Sequence, residues 1–356
     1  MTLTEVNYYT RRFSPVLFIV LLVVLILFFG VKLLFTYLSS QTVTTTSVNS
    51  ISYNPTFDKI KPPLIQDAEK PSKYTFVLDT LDGTPNVQEA TVAAEIYFIP
   101  QKTASFGFLS KIYLMAKAAG FDTNITQHRL DDKTAVFDDG KHKLTIDIRT
   151  FNYTYSYTIT RDDNVTPPEL IDSESSLYSD ASTFLSAMDR YPETLAQGEK
   201  NIVYMRLNPE TSEIIPLHSP EGANIVEIDF FLPKKNGLPV VSSSYYNSQH
   251  YVMYLIGETQ RKVIKAQVQY FDRSEDQVGI YPLRSASEAW EDLKKGNGYV
   301  ISSQSDAGEI KIQKVFLAYY DPAEYQEYLQ PVYVFLGANE FVAYVSAVSN
   351  EFLLEQ

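Results

Sequence analysis

The side chains that most often carry chemistry are few and scattered in this sequence. None of the 356 residues is a cysteine, which excludes disulfides, thiolate nucleophiles and cysteine-based metal sites. The four histidines have neither the H-x-x-x-H nor the H-E-x-x-H spacing that directs two imidazoles to one zinc ion. They are His128, His142, His218 and His250. Each is predicted to be a surface or strand histidine, and no metal site is expected.

Motifs for hydrolytic and phosphate chemistry are missing as well. The sequence has no G-x-S-x-G nucleophile elbow, no G-x-x-x-x-G-K-[ST] phosphate loop and no dinucleotide fingerprint. Acidic clusters lack the order of a calcium loop and are predicted to be solvated turns. They lie at 131–132, 138–139, 162–163 and 272–276. A glycosidase needs two carboxylates facing each other across a cleft, which a sequence cannot exclude. We predict no catalytic and no cofactor-binding residues.

A tyrosine cluster near the C-terminus is the candidate binding feature. Tyr319 and Tyr320 precede an Asp-Pro break, and Tyr325 and Tyr328 follow it. Because alternate residues of a strand face opposite ways, one of Tyr319 and Tyr320 is expected to be exposed. Exposed tyrosines suit peptide or glycan recognition, so these four residues are the predicted partner-binding site. Packing in the core is the alternative, and it is the expectation for Trp290, the only tryptophan.

Apolar periodicity and turn residues assign helices and strands around these side chains. Apolar residues at i, i+3, i+4 and i+7 predict helices over about 106–119, from near Asp180, and from Ser285. The last helix has a capping box, Ser285 with Glu288, and a stop at Gly296. Strands are predicted at 74–78, 91–99, 134–137, 143–149 and 153–159, with later hairpins at 251–257/262–268 and 332–337/341–348.

The second half of the chain follows what looks like one plan used twice, a helix followed by strands and a hairpin. Gly257 and Gly337 occupy the same place in the two hairpin turns and are predicted to supply the positive φ of a tight turn. The two copies share few identical residues, and any helix packed on an antiparallel sheet has this layout. Duplication and coincidence therefore both remain open.

An apolar run of membrane-spanning length precedes these elements. Residues 16–38 carry one charge, Lys32, and a helix of this length crosses a hydrocarbon core of about 30 Å. Arg11 and Arg12 stand before the run, which predicts a cytoplasmic N-terminus. A cleaved signal peptide is the alternative, but its apolar region is shorter and ends at small residues.

The remaining chain is long enough for a large folded body outside the membrane. The first 38 residues carry three basic side chains and one acidic one, so the rest of the chain has a net charge of −15. Such an acidic surface argues against nucleic acid and against docking on anionic lipid headgroups. The 26 tyrosines and 21 phenylalanines favour sheet.

The predicted architecture is α+β: an N-terminal transmembrane helix followed by repeated modules of one helix packed on an antiparallel sheet. The predicted segments are a cytoplasmic tail at 1–14, the transmembrane helix at 15–38, an extended stalk at 39–72, and three modules at 73–160, 161–278 and 279–356.

The last module carries the most specific residue pattern. It reads Tyr-Pro-Leu-x-Ser-x-x-Glu-Ala-Trp from Tyr281 to Trp290 and continues through apolar strands at 315–320, 328–335 and 341–348. This pattern resembles the C-terminal module of bacterial extracytoplasmic regulators of the YycH/YycI type and the related PepSY-like domains. The resemblance is good over 280–348, loose over 170–280, and one of layout only over 73–160.

The resemblance implies a single-pass membrane protein with its body outside the cell membrane. It also implies contacts with other proteins, such as the outer part of a sensor kinase or a protease, and no catalytic residues come with it. We therefore expect a non-enzymatic binding or regulatory protein of the cell envelope with a protein partner, and no cofactor. The alternatives are an envelope hydrolase acting on cell-wall polymer and a structural component of an envelope assembly. Whether a small molecule binds is left open.

Overall fold

The computed structural model describes most of the chain beyond the apolar run. The described residues are 20, 22–32, 53–66, 68–80, 83–85, 87, 91–160, 163, 165–208, 210–258, 261–305 and 308–355. The chain divides into two units, Met1–Ser52 and Tyr53–Gln356.

In the first unit, residues 22–32 are helical and their large apolar side chains are exposed. Among the residues that the structure describes, no helix is both long and apolar enough to cross a membrane. Apart from residue 20, the rest of the predicted span at 15–38 lies outside the described residues, as does the predicted cytoplasmic tail.

The second unit is mostly β-sheet with a few helices, which confirms the α+β class. Its α-helices, within the described residues, are α1 (Phe108–Ala118), α2 (Glu174–Ala187), α3 (Glu193–Ala196) and α4 (Ala286–Lys294), and short 3-10 helices lie at Pro71–Lys73 and Asn350–Phe352. The first nine strands are β1 (Tyr74–Leu78), β2 (Ala93–Phe98), β3 (His128–Leu130), β4 (Thr134–Asp138), β5 (His142–Asp147), β6 (Tyr153–Tyr157), β7 (Lys200–Leu207), β8 (Ile214–Leu217) and β9 (Ile225–Phe230). The others are β10 (Val240–Val241), β11 (Tyr251–Ile256), β12 (Arg261–Val268), β13 (Val278–Pro282), β14 (Tyr299–Ser302), β15 (Gly308–Tyr320), β16 (Tyr328–Leu329), β17 (Pro331–Gly337) and β18 (Val342–Ser346).

Local sequence signals determine where the helices begin and end. The capping box at α4 is present: Glu288 N–H donates to the Ser285 hydroxyl, and Ser285 N–H donates to the Glu288 carboxylate at 2.7 Å. Gly296 follows that helix with φ of +86°, as its predicted stop requires. Helix α2 begins earlier than predicted because Ser173 caps it, accepting the Ser176 N–H.

The largest sheet has nine antiparallel strands in the order β3-β4-β5-β6-β12-β11-β9-β7-β8. Helices α1 and α2 cover one face of it. Alternate strand residues such as Phe137, Ile146 and Ile228 point to that face and pack against Ile112 of α1 and Leu185 of α2, all fully buried. Each such side chain contributes about 1.5–3 kcal/mol by leaving water.

The second sheet is covered on both faces. Its order is β1-β15-β17-β18-β14, with β10 on the far half of β15. Trp290 and Leu293 of α4 pack on one face with Phe335, while Ile65 and Val241 lie on the other. A three-stranded sheet, β13-β2-β16, completes the unit. Trp290 is in the core, as expected.

The boundaries of the predicted modules do not coincide with the boundaries between the sheets. β6 of the first predicted module pairs with β12 of the second, so the boundary at residue 160 falls inside one sheet. β1 pairs in parallel with β15, more than 230 residues away, and β2 pairs with β13 and β16. Pairings over such separations leave no local sequence signal, which is why the pattern of helices and turns suggested separate modules.

The two hairpins of the predicted repeat have the same arrangement in the structure, but the strands that follow the two helices do not. β9-β11-β12 and β15-β17-β18 are both three-strand meanders. The strand that follows the helix differs, however: β7 pairs with β9, whereas β14 pairs with β18 at the opposite edge.

Two further expectations are corrected by the structure. The described part of the predicted stalk, from residue 53, belongs to the second unit, because Ile60 and Ile65 are buried within its apolar clusters. Gly337 does not have positive φ; Asn339 and Glu340 supply it in that turn. Gly337 is needed for space instead, since a Cβ there would lie 2.9 Å from the Lys311 carbonyl oxygen.

Candidate functional site

The face of the nine-stranded sheet opposite α1 and α2 is polar where β4, β5, β6 and β12 run side by side. Thr145, Thr154 and Gln267 form a row across three of these strands, since Thr145 pairs with Thr154 and Thr154 with Gln267. All three are exposed or half-buried, while their neighbours in each strand point into the helix-covered core. This face is an accessible surface of hydrogen-bonding groups.

A loop at 321–327, between β15 and β16, is held close to this polar face by a buried network. Asp321 Oδ2 accepts hydrogen bonds from Gln249 Nε2 at 2.7 Å and from His250 Nε2 at 3.2 Å. His250 Nδ1 accepts the Gln269 backbone N–H at 3.3 Å, so the proton that reaches Asp321 is on Nε2. The network joins the start of the loop to the nine-stranded sheet.

Tyr325 is the aromatic side chain that this loop presents. Its hydroxyl donates to the Ile99 carbonyl oxygen at 2.9 Å, and its ring lies edge-on to Phe271 with centroids 6.1 Å apart. Tyr325 as a whole residue is 38% exposed. The adjacent Glu324 accepts a hydrogen bond from Gln66, which ties the loop to the segment before β1.

Three cavities meet at Tyr325, and we call them together the Tyr325 cleft. The first, about 400 Å³, lies against the sheet and includes Arg149 and Asn152 in its wall. The second, about 370 Å³, reaches Gln267 of β12. The third, about 450 Å³, extends along Tyr328. Each is within the size range of ligand pockets in proteins.

The cleft wall combines aromatic rings with groups that hydrogen-bond without ionising. Amide side chains line it throughout: Gln66, Gln101, Asn152, Gln267, Gln269 and Gln326. Aromatic area is supplied by Tyr270, Phe271, Tyr325 and Tyr328. Burial, aided by the charge of Glu327, raises the pKa of Tyr328 to about 12, so its hydroxyl remains a donor at neutral pH. This arrangement suits a chain of alternating polar and apolar groups, as a peptide has.

The structure separates the four predicted tyrosines into two pairs. Tyr319 and Tyr320 face opposite sides of β15, but both are buried, so the expectation that one of them is exposed is wrong. The reason is that the second sheet is covered on both faces: Tyr319 donates to the Glu95 carbonyl oxygen, and Tyr320 packs on Tyr344. Tyr325 and Tyr328 are partly accessible and line the cleft, and the buried Tyr320 also forms part of the wall of its second cavity.

Sequence reasoning missed the residues that position the cleft. His250, expected at a surface or on a strand, is 1% exposed and bonded to Asp321. Asn152 is buried and anchors Arg190, which is 38 positions away. Their partners are distant in sequence, so no motif could have identified them. The sequence contains one indication of where the cleft lies, the Asp-Pro break that begins the 321–327 loop.

A pair of buried carboxyl groups lies apart from the cleft, on β9. Asp229 is fully buried, and that burial, reinforced by the negative charge of Glu227, raises its pKa to about 7. Burial also raises the pKa of Glu227, whose side chain accepts a hydrogen bond from Asn247 at 3.3 Å. Neither residue lines any of the three cavities described above.

Comparison with known proteins adds little to this geometry. No model of a protein family matches the chain, and no curated protein matches it. Among solved structures, the chain is similar to an uncharacterized protein from Eubacterium rectale, with 12% identity over 75% of this chain and 86% of that chain. The TM-score is 0.34, which is too low to support a statement about fold or function.

Proposed function

We propose that the protein is a single-pass membrane protein of a bacterial cell envelope that acts by binding another protein outside the membrane. In this proposal residues 15–38 are the membrane anchor, the N-terminus is cytoplasmic, and the Tyr325 cleft holds a segment of the partner. The protein regulates its partner through contact and carries out no reaction of its own.

The observation that carries this proposal is the meeting of three cavities at one half-exposed tyrosine. Tyrosine offers apolar area and a hydroxyl at a small entropic cost, and it is enriched at the centres of protein interfaces. The surrounding amide groups can pair with the backbone N–H and C=O groups of an extended segment. The three cavities together offer room for several residues of such a segment.

The sequence supports the membrane location in this proposal. The 23 residues from Val16 to Leu38 carry a single charge, and Arg11 and Arg12 precede them. The residue pattern at 281–290 supports a regulator of the YycH/YycI or PepSY-like kind, since those proteins contact other envelope proteins.

A paired substitution tests the proposal. The full chain is crosslinked in its native membrane and purified, and the attached proteins are identified for the wild type, Tyr325→Ala and Tyr53→Ala. Tyr53 is also about half exposed but lies outside the cleft. We expect Tyr325→Ala to lose an envelope protein that both the wild type and Tyr53→Ala retain. Equal recovery with all three chains would contradict the proposal.

An envelope hydrolase is the alternative from a different functional class. It would need carboxylates free to act on a polymer in the cleft, yet Asp147, Asp272 and Glu324 are each engaged by neighbouring groups. The carboxylate of the third cavity, Glu327, is hydrogen-bonded to the Tyr328 side chain. The carboxyls with raised pKa, Glu227 and Asp229, lie outside the cleft. The geometry therefore favours binding over hydrolysis, and a structural role in an envelope assembly has no specific observation in its favour.

A further inference from the structure

The first cavity of the cleft contains equal numbers of basic and acidic side chains. The acidic ones have close hydrogen-bond partners, whereas two of the basic ones do not. Among the acidic groups, Asp147 accepts the backbone N–H groups of Arg149 and Thr150 at 2.8 and 2.9 Å. Asp272 pairs with Lys102, and Glu324 accepts from Gln66. Each carboxylate of this cavity thus already accepts a hydrogen bond from a neighbouring group.

The other two basic side chains of this cavity, Arg149 and Lys133, are less closely paired with carboxylates than Lys102 is. The Arg149 guanidinium forms an ion pair with Asp147 at 3.6 Å, a distance too long for a hydrogen bond, so its N–H groups are not satisfied by that carboxylate. Lys133 also lines this cavity and forms no ion pair with any residue that the structure describes. Two cationic side chains can therefore act on a ligand here.

Asn152 adds a buried donor with no partner. Its side chain is 4% exposed, and its Oδ1 accepts from Arg190 Nη2 at 2.6 Å and from the Tyr270 backbone N–H at 3.0 Å. These two donors fix the orientation of the amide, and Nδ2 has no hydrogen-bond partner among the described residues. A buried donor without an acceptor costs about 1–3 kcal/mol, which an acceptor of a ligand that reaches Nδ2 would recover.

Arg190 makes Asn152 a better donor. Arg190 is half-buried and does not line the cavity, and its Nη2 is shared between Asn152 and the Tyr270 carbonyl oxygen. Hydrogen bonding of a cation to Oδ1 polarises the amide and strengthens the N–H groups on Nδ2. The positive charge of Arg190 is thereby felt at the cavity without being exposed in it.

We propose that the first cavity of the cleft is a carboxylate-binding site, in which Asn152, Arg149 and Lys133 hold the carboxylate of a peptide whose neighbouring side chain packs on Phe271 and Tyr325. The inference rests on the proposed function for the source of the ligand, a segment of a protein partner. The carboxylate is either the C-terminus of that segment or an acidic side chain within it.

Three small probes distinguish the chemistry and the source of the carboxylate. They are N-acetyl-alanyl-phenylalanine with a free C-terminal carboxylate, the C-terminal amide of the same dipeptide, and N-acetyl-glutamyl-phenylalanine amide, whose only carboxylate is on its side chain. Binding of each radiolabelled probe to the full chain in detergent micelles is measured by equilibrium dialysis, with empty micelles as the blank.

A nearly isosteric substitution removes only the proposed donor. Asn152→Asp keeps an oxygen for Arg190 and for the Tyr270 N–H, so the fold is retained, but it replaces Nδ2 with a second oxygen that repels a carboxylate. Asn297→Asp makes the same change of charge at an exposed position outside the cleft. Binding of the same probes to both variants is compared with the wild type.

We expect the dissociation constant of at least one of the two acidic probes to be at least about tenfold lower than that of the neutral amide. We also expect that preference to disappear in Asn152→Asp and to persist in Asn297→Asp. The tighter of the two acidic probes identifies the source of the carboxylate.

Equal binding of acid and amide, binding of neither acid, or an unchanged preference in Asn152→Asp would each overturn the inference. Failure of the proposed function would give a different result from failure of this inference. In that case the acidic probe would still bind with these preferences, while Tyr325→Ala would retain every crosslinked protein.

Discussion

Asp229 shows how a single buried side chain can make the stability of this protein depend on pH. Its folded-state pKa of about 7 is raised above the ordinary value, chiefly by burial and then by the charge of Glu227. The folded state therefore binds the proton more tightly than the unfolded chain does. The stability linked to this proton is fully present below about pH 4 and is lost as the pH rises through about 7.

Replacing the Asp229 carboxyl with an amide should remove this pH dependence of stability. Between about pH 5 and pH 8, we expect the free energy of unfolding of the wild type to fall by on the order of 3 kcal/mol more than that of Asp229→Asn. Urea unfolding of the full chain in micelles, followed by the fluorescence of the single buried Trp290, measures this difference.

The control for this substitution is Glu309→Gln, which changes an exposed carboxyl of β15 in the same way. Its pH dependence should match the wild type. Parallel pH curves for the wild type and Asp229→Asn would contradict the assignment.

Single residues were predictable from the sequence only where their role is local or apolar. Trp290 was expected in the core because it lies on the apolar face of an amphipathic helix, and it is there. Tyr325 was identified by its place beside an Asp-Pro break. Asn152 and His250 were not identifiable, because their roles come from partners such as Arg190 and Asp321 on distant strands.

At the scale of elements, the 321–327 loop depends on one buried carboxylate. Asp321 is 8% exposed and accepts from both Gln249 and His250. If it is removed, His250 Nε2 is left buried without an acceptor, which costs about 1–3 kcal/mol and more when charge is involved. The loop then loses both hydrogen bonds of its Asp321 carboxylate and keeps the weaker attachment from Gln249 Nε2 to the Pro322 carbonyl oxygen at 3.0 Å.

We expect Asp321→Ala to lower the free energy of unfolding by about 2–3 kcal/mol and to weaken binding in the cleft. Urea unfolding followed by Trp290 fluorescence checks the first effect. Glu351→Ala is the control, since it removes a carboxylate at an exposed position outside the loop and the cleft, where the cost is within about 0.5 kcal/mol. Equal costs for the two variants would show that the buried network does not hold the loop.

Helices and hairpins followed from the sequence where their signals are adjacent in the chain. The Ser285 capping box and the Gly296 stop delimit α4 closely, and the hairpins β11–β12 and β17–β18 are near their predicted positions. The pairing of β1 with β15 and of β6 with β12 was not predictable. Strand periodicity specifies which face a residue occupies but not which strand lies beside it.

At the scale of the whole molecule, the account assigns attachment and binding to different parts of the chain. Residues 15–38 are proposed to attach the protein to the membrane, and residues 53–356 form a unit with its own cores. Removing the first part should therefore leave the second folded.

A variant lacking residues 1–38 and exported by a cleavable leader should appear in the soluble extracytoplasmic fraction. Its unfolding midpoint in urea should match that of the full chain, because the core residues all lie beyond the deletion. Fractionation and Trp290 fluorescence measure the two outcomes. Retention of the variant in the membrane fraction would contradict the anchor, and loss of the cooperative transition would contradict the independence of the second unit.

The most direct test of the account is site-specific photo-crosslinking from the cleft in intact cells. A photoreactive amino acid replaces Tyr325 in one full-length chain and Leu170 in another; Leu170 is 88% exposed and lies outside the three cavities. The account predicts a defined adduct with one envelope protein from position 325 and none from position 170. The same adducts from both positions, or no protein adduct from position 325, would contradict it.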